Sequence, residues 1–433
     1  MLRNSAIFLV FLSLNSACSA QGGGSNHSLI ENDSSAVPKA ASEIKADEAS
    51  VVSLETSETP SFPQCIESLQ RQAKDKGLQE NLIALLDDVN KVERVIELDR
   101  NQPEFVQTFA NYFERRVSDY RIQKGRELLA EYRPLLNKLT QEYGVPPQYL
   151  IAFWGLETNF GSYLGKIPTL DSLATLACDQ RRQAMFTAEL FTALELVRQH
   201  DLKVADMQGS WAGAMGHTQF MPSAYSRYAM DGDNDGRADL WNSVPDALTS
   251  AANFLKNLGW KSELRWGREV KLPEGFAYTN LGLDQKFPLA HWRNLGVLDT
   301  SGRPLADVDI DAALLAPSGD QGPKFLVYDN FRVIMGWNRS QFYALSVGHL
   351  ADRINGAGQL YQAIPSTKAL TKQQVELMQS NLKTLGFDPG GIDGQLGPAT
   401  SGAIREFQQS QEKVADGFAS IDIVESLQAL VNP

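Results

Sequence analysis

The stretch LIAFWGLETNFG, residues 150 to 161, places one carboxylate among apolar side chains. Leu150, Phe153 and Trp154 recur at helical spacing, and Glu157 follows Phe153 by four residues and Trp154 by three, which puts it on their face. A glutamate carried into a core is hard to ionise, so its pKa rises and it is suited to hand a proton to a departing group. A second stretch, GSWAGAMGHTQFMPSAY at 209 to 225, alternates small and aromatic residues around Ser210 and Gln219. Gly213, Ala214 and Gly216 leave room for a ligand to approach the backbone, while Ser210 and Gln219 offer hydrogen bonds. Read alone, this stretch is better taken as a tight loop between packed helices. A third, DGDNDGRADLWN at 231 to 242, sets Asp231, Asp233, Asp235 and Asp239 at positions 1, 3, 5 and 9 of an EF-hand loop, with Gly236 at 6 and the Arg237 carbonyl at 7. Position 12 is Asn242 instead of the bidentate Glu, which weakens the expected calcium affinity and leaves a metal-free Asp/Gly turn as the alternative.

Elements to position these groups are plentiful. The chain has 433 residues, 43% of them hydrophobic, enough for a large core and more than one domain. A net charge of -12 repels phosphates and argues against a nucleic-acid partner. Arg3, the apolar run AIFLVFLSL and the small residues Ser16 and Ala17 read as an export signal over residues 1 to 18, the run being too short to span a bilayer comfortably. LNSAC resembles a bacterial lipobox that would place a lipid on Cys18, although Asn15 stands where Leu is usual; ordinary cleavage near Ala20 is the rival. Export leaves Cys65 and Cys178 as an even pair in an oxidising compartment, which predicts a disulfide, with two buried free thiols as the alternative.

Residues 19 to 61 are rich in Ser, Ala and Glu without helical or strand period, and read as a disordered tether. From Phe62 the pattern is helical: CIESLQRQAKDKGL, LIALLDDV and the long RIQKGRELLAEYRPLLNKLTQEYG are amphipathic. Pro146 and Pro147 mark the start of the Glu157 helix and Gly161 its end. Helices continue through MFTAELFTALELVRQHD and PDALTSAANFLKNLGW, the latter capped by Ser243 and ended by Gly259. Between Trp260 and about Arg332 turn signals break the period, which predicts a small irregular, partly β insertion with a strand in KFLVYD. SQFYALSVGHLADRI returns to helix. After GAGQLYQAIPSTK a separate unit from 365 to 433 reads as three helices.

Taken together, GLETNFG, YGVPPQYL, LATLACDQRR and GSWAGAMGHTQFMPSAY resemble the soluble lytic transglycosylase B family, bacterial enzymes that cleave the glycan strands of peptidoglycan, over about residues 62 to 360. The resemblance implies a mainly α, lysozyme-like catalytic domain in which Glu157 is the single catalytic acid. It places Arg181 and Arg182, Ser210, Gln219, Asn338 and Tyr343 at substrate-contacting positions. Guanidinium groups suit the lactyl carboxylate of N-acetylmuramic acid, and amides suit N-acetyl groups. Trp337, Tyr343 and Met185 fall where the sequence departs in part from the family's aromatics. A two-carboxylate glycosidase needs a second Asp or Glu across the bond. Asp171, Asp179 and Asp206 are near in sequence, but none has a comparable apolar frame. The family does without one: the substrate's acetamido group stabilises C1, its own C6 hydroxyl attacks, and a 1,6-anhydromuramyl end results. Members also carry a calcium site at the acidic loop, in a structural role, and no cofactor for the chemistry.

GIDGQLGPATSGAIREFQ, residues 391 to 408, resembles the three-helix peptidoglycan-binding module of wall enzymes, with Gly394 and Gly397 permitting the turn and Pro398 opening a helix. The reading is therefore a periplasmic lytic transglycosylase, anchored to the outer membrane if Cys18 is modified, whose partner is the glycan strand of peptidoglycan. A hydrolysing muramidase of the same fold and a non-catalytic wall-binding scaffold are the rivals.

Overall fold

The structure, a computed structural model, describes residues 60–100 and 107–432. The expected export signal, Cys18 and the tether up to residue 59 lie outside the described residues. Ser61, expected at the end of the tether, is already the cap residue of the first helix, Phe62–Asp75, and its N–H donates to Gln64 Oε1 at 2.9 Å.

Two helical clusters make the large domain. One surrounds Pro147–Thr158, a helix buried on every side from Tyr149 to Thr158. Its apolar residues therefore do not form a single stripe: this is a central helix, packed by Gln341–Ile354, Asp119–Glu131 and Arg133–Tyr143. The last two divide the long amphipathic stretch RIQKGRELLAEYRPLLNKLTQEYG between them. Pro134 separates them, because proline lacks the N–H of an interior turn and its ring clashes with the preceding one, so Tyr132 ends one helix and begins the next. The second cluster holds Phe62–Asp75, Thr169–Ala177 and Gln183–Gln199. Here Cys65 and Cys178 form a disulfide with Cα atoms 5.9 Å apart, joining the first helix to the end of Thr169–Ala177. Closing a loop on the order of 100 residues limits the unfolded chain by about 4.7 kcal/mol in the loop-entropy account.

The region after Trp260 is more regular than its turn signals suggest. Five antiparallel strands run in the order Lys286–Pro288, Asp311–Leu315, Lys324–Val327, Gly267–Lys271 and Leu298–Asp299. Leu314, Leu326, Val270, Trp292 and Tyr328 give this sheet its own core.

Three helices, Lys372–Thr384, Pro398–Ser410 and Ile421–Val431, enclose Met378, Leu382, Ile404, Phe407 and Leu427 at the C-terminal end. The segment leading to them is fastened down. Both carboxylate oxygens of Glu269, on the sheet, accept backbone N–H groups of Tyr361 and Gln362 at 2.7 and 2.9 Å. Lys324 Nζ donates to Gln362 Oε1 at 3.2 Å, and the Lys271 ammonium sits 3.9 Å from the Tyr361 ring centroid. Asp416 of the small domain accepts the Asp320 N–H at 2.8 Å. At Gly319, with φ of 64°, a Cβ would meet Asp416 Oδ2 at 2.4 Å, so only glycine permits this approach.

Candidate active site

Glu157 lies in the last turn of Pro147–Thr158 with 6% of its surface exposed. Burial pushes its carboxyl up to about 7, against the opposing pull of Tyr343, Arg116 and Trp337. The Tyr343 hydroxyl donates to Glu157 Oε1. Tyr343 stands in the first turn of Gln341–Ile354, whose cap, Ser340, accepts the Tyr343 N–H at 3.3 Å. Burial and the neighbouring Glu157 raise the phenol well above its ordinary range, so it remains a donor. Trp337, at the end of Asp329–Trp337, packs against Phe153 with ring centroids 4.5 Å apart and planes tilted by 31°, and lines the same hollow as Glu157, Trp154 and His217.

The turn after Glu157 is held in three successive left-handed residues, Asn159, Phe160 and Gly161. Thr158 Oγ1 accepts the Gly161 N–H at 3.0 Å and lies 3.2 Å from the His217 carbonyl, to which it donates. The Trp154 indole N–H donates to His217 Nδ1 at 2.9 Å. His217 thus ties the 209–221 loop to the acid's own helix, and burial lowers its pKa so that the neutral ring is favoured. Nothing in a single histidine's spacing flagged this.

The other expected contact residues are distributed. Ser210 Oγ accepts the Ala214 N–H at 3.1 Å, and Gln219, with φ of 51°, donates from Nε2 to the carbonyls of Leu164 and Gly216 at 3.0 and 2.9 Å. Both shape the loop that carries His217 and Thr218. Asn338 Oδ1 accepts the Ser340 N–H at 3.1 Å and so sets the corner leading to Tyr343. Arg181 and Arg182 both bind Asp99, a carboxylate only 3% exposed: Arg181 Nε donates at 2.8 Å to one oxygen and Arg182 Nη2 to the other. Asp99 was not anticipated, and the expectation of guanidinium groups turned toward a substrate carboxylate must allow for this internal partner. Met185 packs against the second helical cluster.

None of the carboxylates considered as a second catalytic group faces Glu157. Asp171 accepts the Asn90 N–H at 3.1 Å, Asp179 pairs with Arg100 at 2.7 Å, and Asp206 is exposed on the surface. Among the described residues, the groups acting on Glu157 are a phenol, an indole and a guanidinium.

At the acidic loop, ligand oxygens of Asp231, Asp233 and Asp246 come within 4.8 Å of one another. Asp246 lies beyond the twelve-residue loop, in the first turn of Val244–Asn257, and is fully buried. Its carboxylate accepts the N–H groups of Gly232 and Asp239, each at 2.7 Å. Asp235 and Asp239 are outside this cluster; Asp239 accepts the N–H groups of Trp241 and Asn242, each at 3.0 Å. Burial, and to a lesser extent the Asp233 charge, raises the Asp246 pKa against the N–H groups it accepts. Three convergent carboxylates, one of them buried, fit a hard cation with oxygen ligands.

The transglycosylase SLT domain model matches residues 61–352. The chain belongs to this family. A peptidoglycan-binding domain model matches residues 371–427. This lytic transglycosylase is 30% identical over 291 residues to the membrane-bound lytic murein transglycosylase B of Escherichia coli K12, covering 64% of this chain and 78% of the relative. It is similar to SltB3 of Pseudomonas aeruginosa, solved in complex with NAG-anhNAM-pentapeptide, with 39% identity, a TM-score of 0.82 and coverage of 85% of this chain and 99% of the other. Escherichia coli Slt35, solved in complex with calcium, is 29% identical with a TM-score of 0.57, over 70% and 94% of the two chains. Among the described residues no helix is long and apolar enough to cross a membrane.

Proposed function

We propose that Glu157 is the sole acid and base of a lytic transglycosylase that cleaves the MurNAc-GlcNAc β-1,4 bond. The observation that carries this is a buried, protonatable carboxyl, raised to about 7, with no second carboxylate among the described groups that act on it. Glu157 gives its proton to the glycosidic oxygen as the bond from C1 breaks, the substrate acetamido group stabilises C1, and the C6 hydroxyl attacks C1 while its proton passes to the Glu157 carboxylate. No water is consumed, and the product ends in a 1,6-anhydromuramyl sugar. Tyr343 holds the carboxyl in place throughout, its hydroxyl donating to Oε1. Ser210, Gln219 and Asn338 serve the substrate through the loops they shape, and Arg181 and Arg182 through guanidinium groups that Asp99 orders. Mass spectrometry of muropeptides released from purified sacculi tests the reading: anhydro ends are expected. Reducing ends would make the enzyme a hydrolysing muramidase, and no release would make it a scaffold.

The acidic loop holds calcium in a structural role. The supporting observations are the convergence of Asp231, Asp233 and Asp246 and the complex of Slt35 with calcium. Asp235 and Asp239, expected as ligands from the loop spacing together with the Arg237 carbonyl, lie outside that convergence. Bound calcium supplies a tie between the loop and Val244–Asn257 and takes no part in bond breaking. Calcium should raise the melting temperature of the metal-stripped protein, by about 2.7 kcal/mol of stability at one hundred times its Kd. Asp231→Ala and Asp246→Asn should each abolish that increment, and an unchanged melt of the parent protein in calcium would reduce the loop to a turn.

The protein acts in the periplasm, reached by the signal at 1 to 18 and held at the outer membrane through Cys18. A thioether-linked lipid on Cys18, sought by mass spectrometry of membrane fractions, tests the anchor.

A further inference from the structure

We propose that His217 is a positioning residue for the reaction: its Nδ1, by accepting the Trp154 indole N–H, fixes the acid's turn against the 209–221 loop. The proposal rests on Glu157 being the acid. A single carboxyl that first gives a proton to the glycosidic oxygen and then takes one from the C6 hydroxyl must keep its place through both transfers. A misplacement of about 1 Å costs on the order of 10²-fold in such a site. Glu157 stands on a helix, whereas Ser210, Thr218 and Gln219 stand on a separate loop, so the two need a fixed register.

Contacts of His217 bracket Glu157 on both sides. Before the acid, Trp154 Nε1 donates to His217 Nδ1 at 2.9 Å, and the two rings meet edge to face with centroids 5.6 Å apart. Immediately after it, Thr158 Oγ1 donates to the His217 carbonyl at 3.2 Å. Beyond that the imidazole lies against Gly161, where a Cβ would stand 2.2 Å from Cε1 and 2.6 Å from Nδ1; with φ of 78° as well, this position takes only glycine. His217, Thr218, Trp154 and Glu157 line one hollow. On its far side the His217 N–H donates to the Leu240 carbonyl at 2.8 Å, and a Cβ on Gly216 would meet that carbonyl oxygen at 2.4 Å. The residue is therefore pinned to the acid's turn in front and to segment 238–241 behind.

The bond to Trp154 demands a particular chemistry. An indole N–H only donates, so Nδ1 must offer a lone pair and the proton of the neutral ring sits on Nε2. Leucine or methionine could fill the space but could not accept. The other holds on this helix end face different elements. Arg121, 8% exposed, donates from Nε to the Gly155 carbonyl at 2.9 Å and from Nη1 to the Arg115 carbonyl at 2.7 Å, which fastens the acid's helix to Phe109–Arg116. Tyr343 ties the carboxyl to Gln341–Ile354. Gln219 reaches Leu164, farther along the chain from the acid. His217 is the loop residue that grips the turn carrying Glu157.

The test follows, in the full chain, turnover of a soluble glycan fragment and the Trp154 indole N–H resonance of protein carrying isotope-labelled tryptophan. His217→Leu keeps most of the volume and removes the acceptor; His217→Asn gives up volume and sets Oδ1 where Nδ1 stood. His217→Leu should lower kcat about 10- to 100-fold at a KM near the parent value and shift the Trp154 resonance, and His217→Asn should recover most of both. Trp154→Phe removes the donor, identifies the resonance by its loss, and should cost a similar factor; joined to His217→Leu it should add little more. It also decides the matter if the leucine variant does not fold. A loss that follows volume, larger in His217→Asn than in His217→Leu, would overturn the proposal. So would a rise in KM alone, which marks a substrate contact, or losses that multiply in the double variant. Glu157→Gln separates this inference from the reading beneath it. Where that variant is inactive and His217→Leu turns over like the parent, His217 alone is dismissed; where Glu157→Gln itself turns over like the parent, the acid lies elsewhere and both fall.

Discussion

Glu157→Gln should lose glycan release by about 10²- to 10⁴-fold and yet melt at a higher temperature than the parent enzyme at pH 8. The two effects have one cause. In the folded chain the carboxyl is raised from its ordinary 4.5 to about 7 by burial. Below pH 4.5 both states hold the proton and the group is neutral in its effect. Between 4.5 and 7 the folded state keeps a proton that the unfolded state releases, so stability falls as pH rises, and above 7 the full penalty of a buried anion, about 3 kcal/mol, is present. Glutamine has the same shape, accepts from or donates to Tyr343, and never ionises. Its advantage should therefore be absent at pH 4 and amount to several degrees at pH 8. Paired melts at the two pH values and muropeptide release from sacculi check both halves. Substantial turnover would move the acid elsewhere, and an identical advantage at both pH values would mean that packing rather than ionisation sets it.

Glu157 was legible because a charged residue within an apolar helical run breaks a local pattern, and local patterns are what a sequence displays. The helix itself has no exposed side to contrast with its buried one, so periodicity could not show that all its neighbours are core. Asp99, Arg116, Arg121 and His217 were not legible. Each acts on a residue distant in the chain, as Arg121 does on Gly155 and His217 on Trp154, and an isolated Arg or His has the same local signature whether it is a solvated surface group or a buried strut. Asp246 was missed for a related reason. It falls past the loop that was counted, and only the turn into Val244–Asn257 swings it back among Asp231 and Asp233. The sheet was seen as irregular because its strands are two to five residues long and joined by turns, too short for alternation to emerge. Tyr343 was anticipated as a substrate contact, whereas its hydroxyl is directed at the acid; a motif can place a residue in a site without saying what it touches.

Deleting residues from Pro365 onward should lower sacculus pull-down and slow sacculus digestion by about 10- to 100-fold, while cleavage of short soluble glycan fragments stays near the parent value. Peptidoglycan is insoluble, so a second wall-binding site raises the local concentration of the cleft without touching it. In the sequence GAGQLYQAIPSTK reads only as the stretch before a separate unit. The linker is instead held along the sheet by Glu269, Lys324 and Lys271, and the small domain's Asp416 grips the Asp320 N–H, so the domain is presented in one orientation. A fixed second site helps most when its placement matches the polymer and is a hindrance when it does not. Glu269→Ala separates these cases, because it frees Tyr361 and Gln362 while leaving the small domain's own core intact. If orientation matters, this variant should bind sacculi as the full chain does and digest them more slowly. Digestion equal to the full chain would make the small domain a plain tether. A deletion that costs equally on soluble fragments would mean that the domain completes the cleft, and one that costs nothing on either substrate would mean that it binds something other than peptidoglycan.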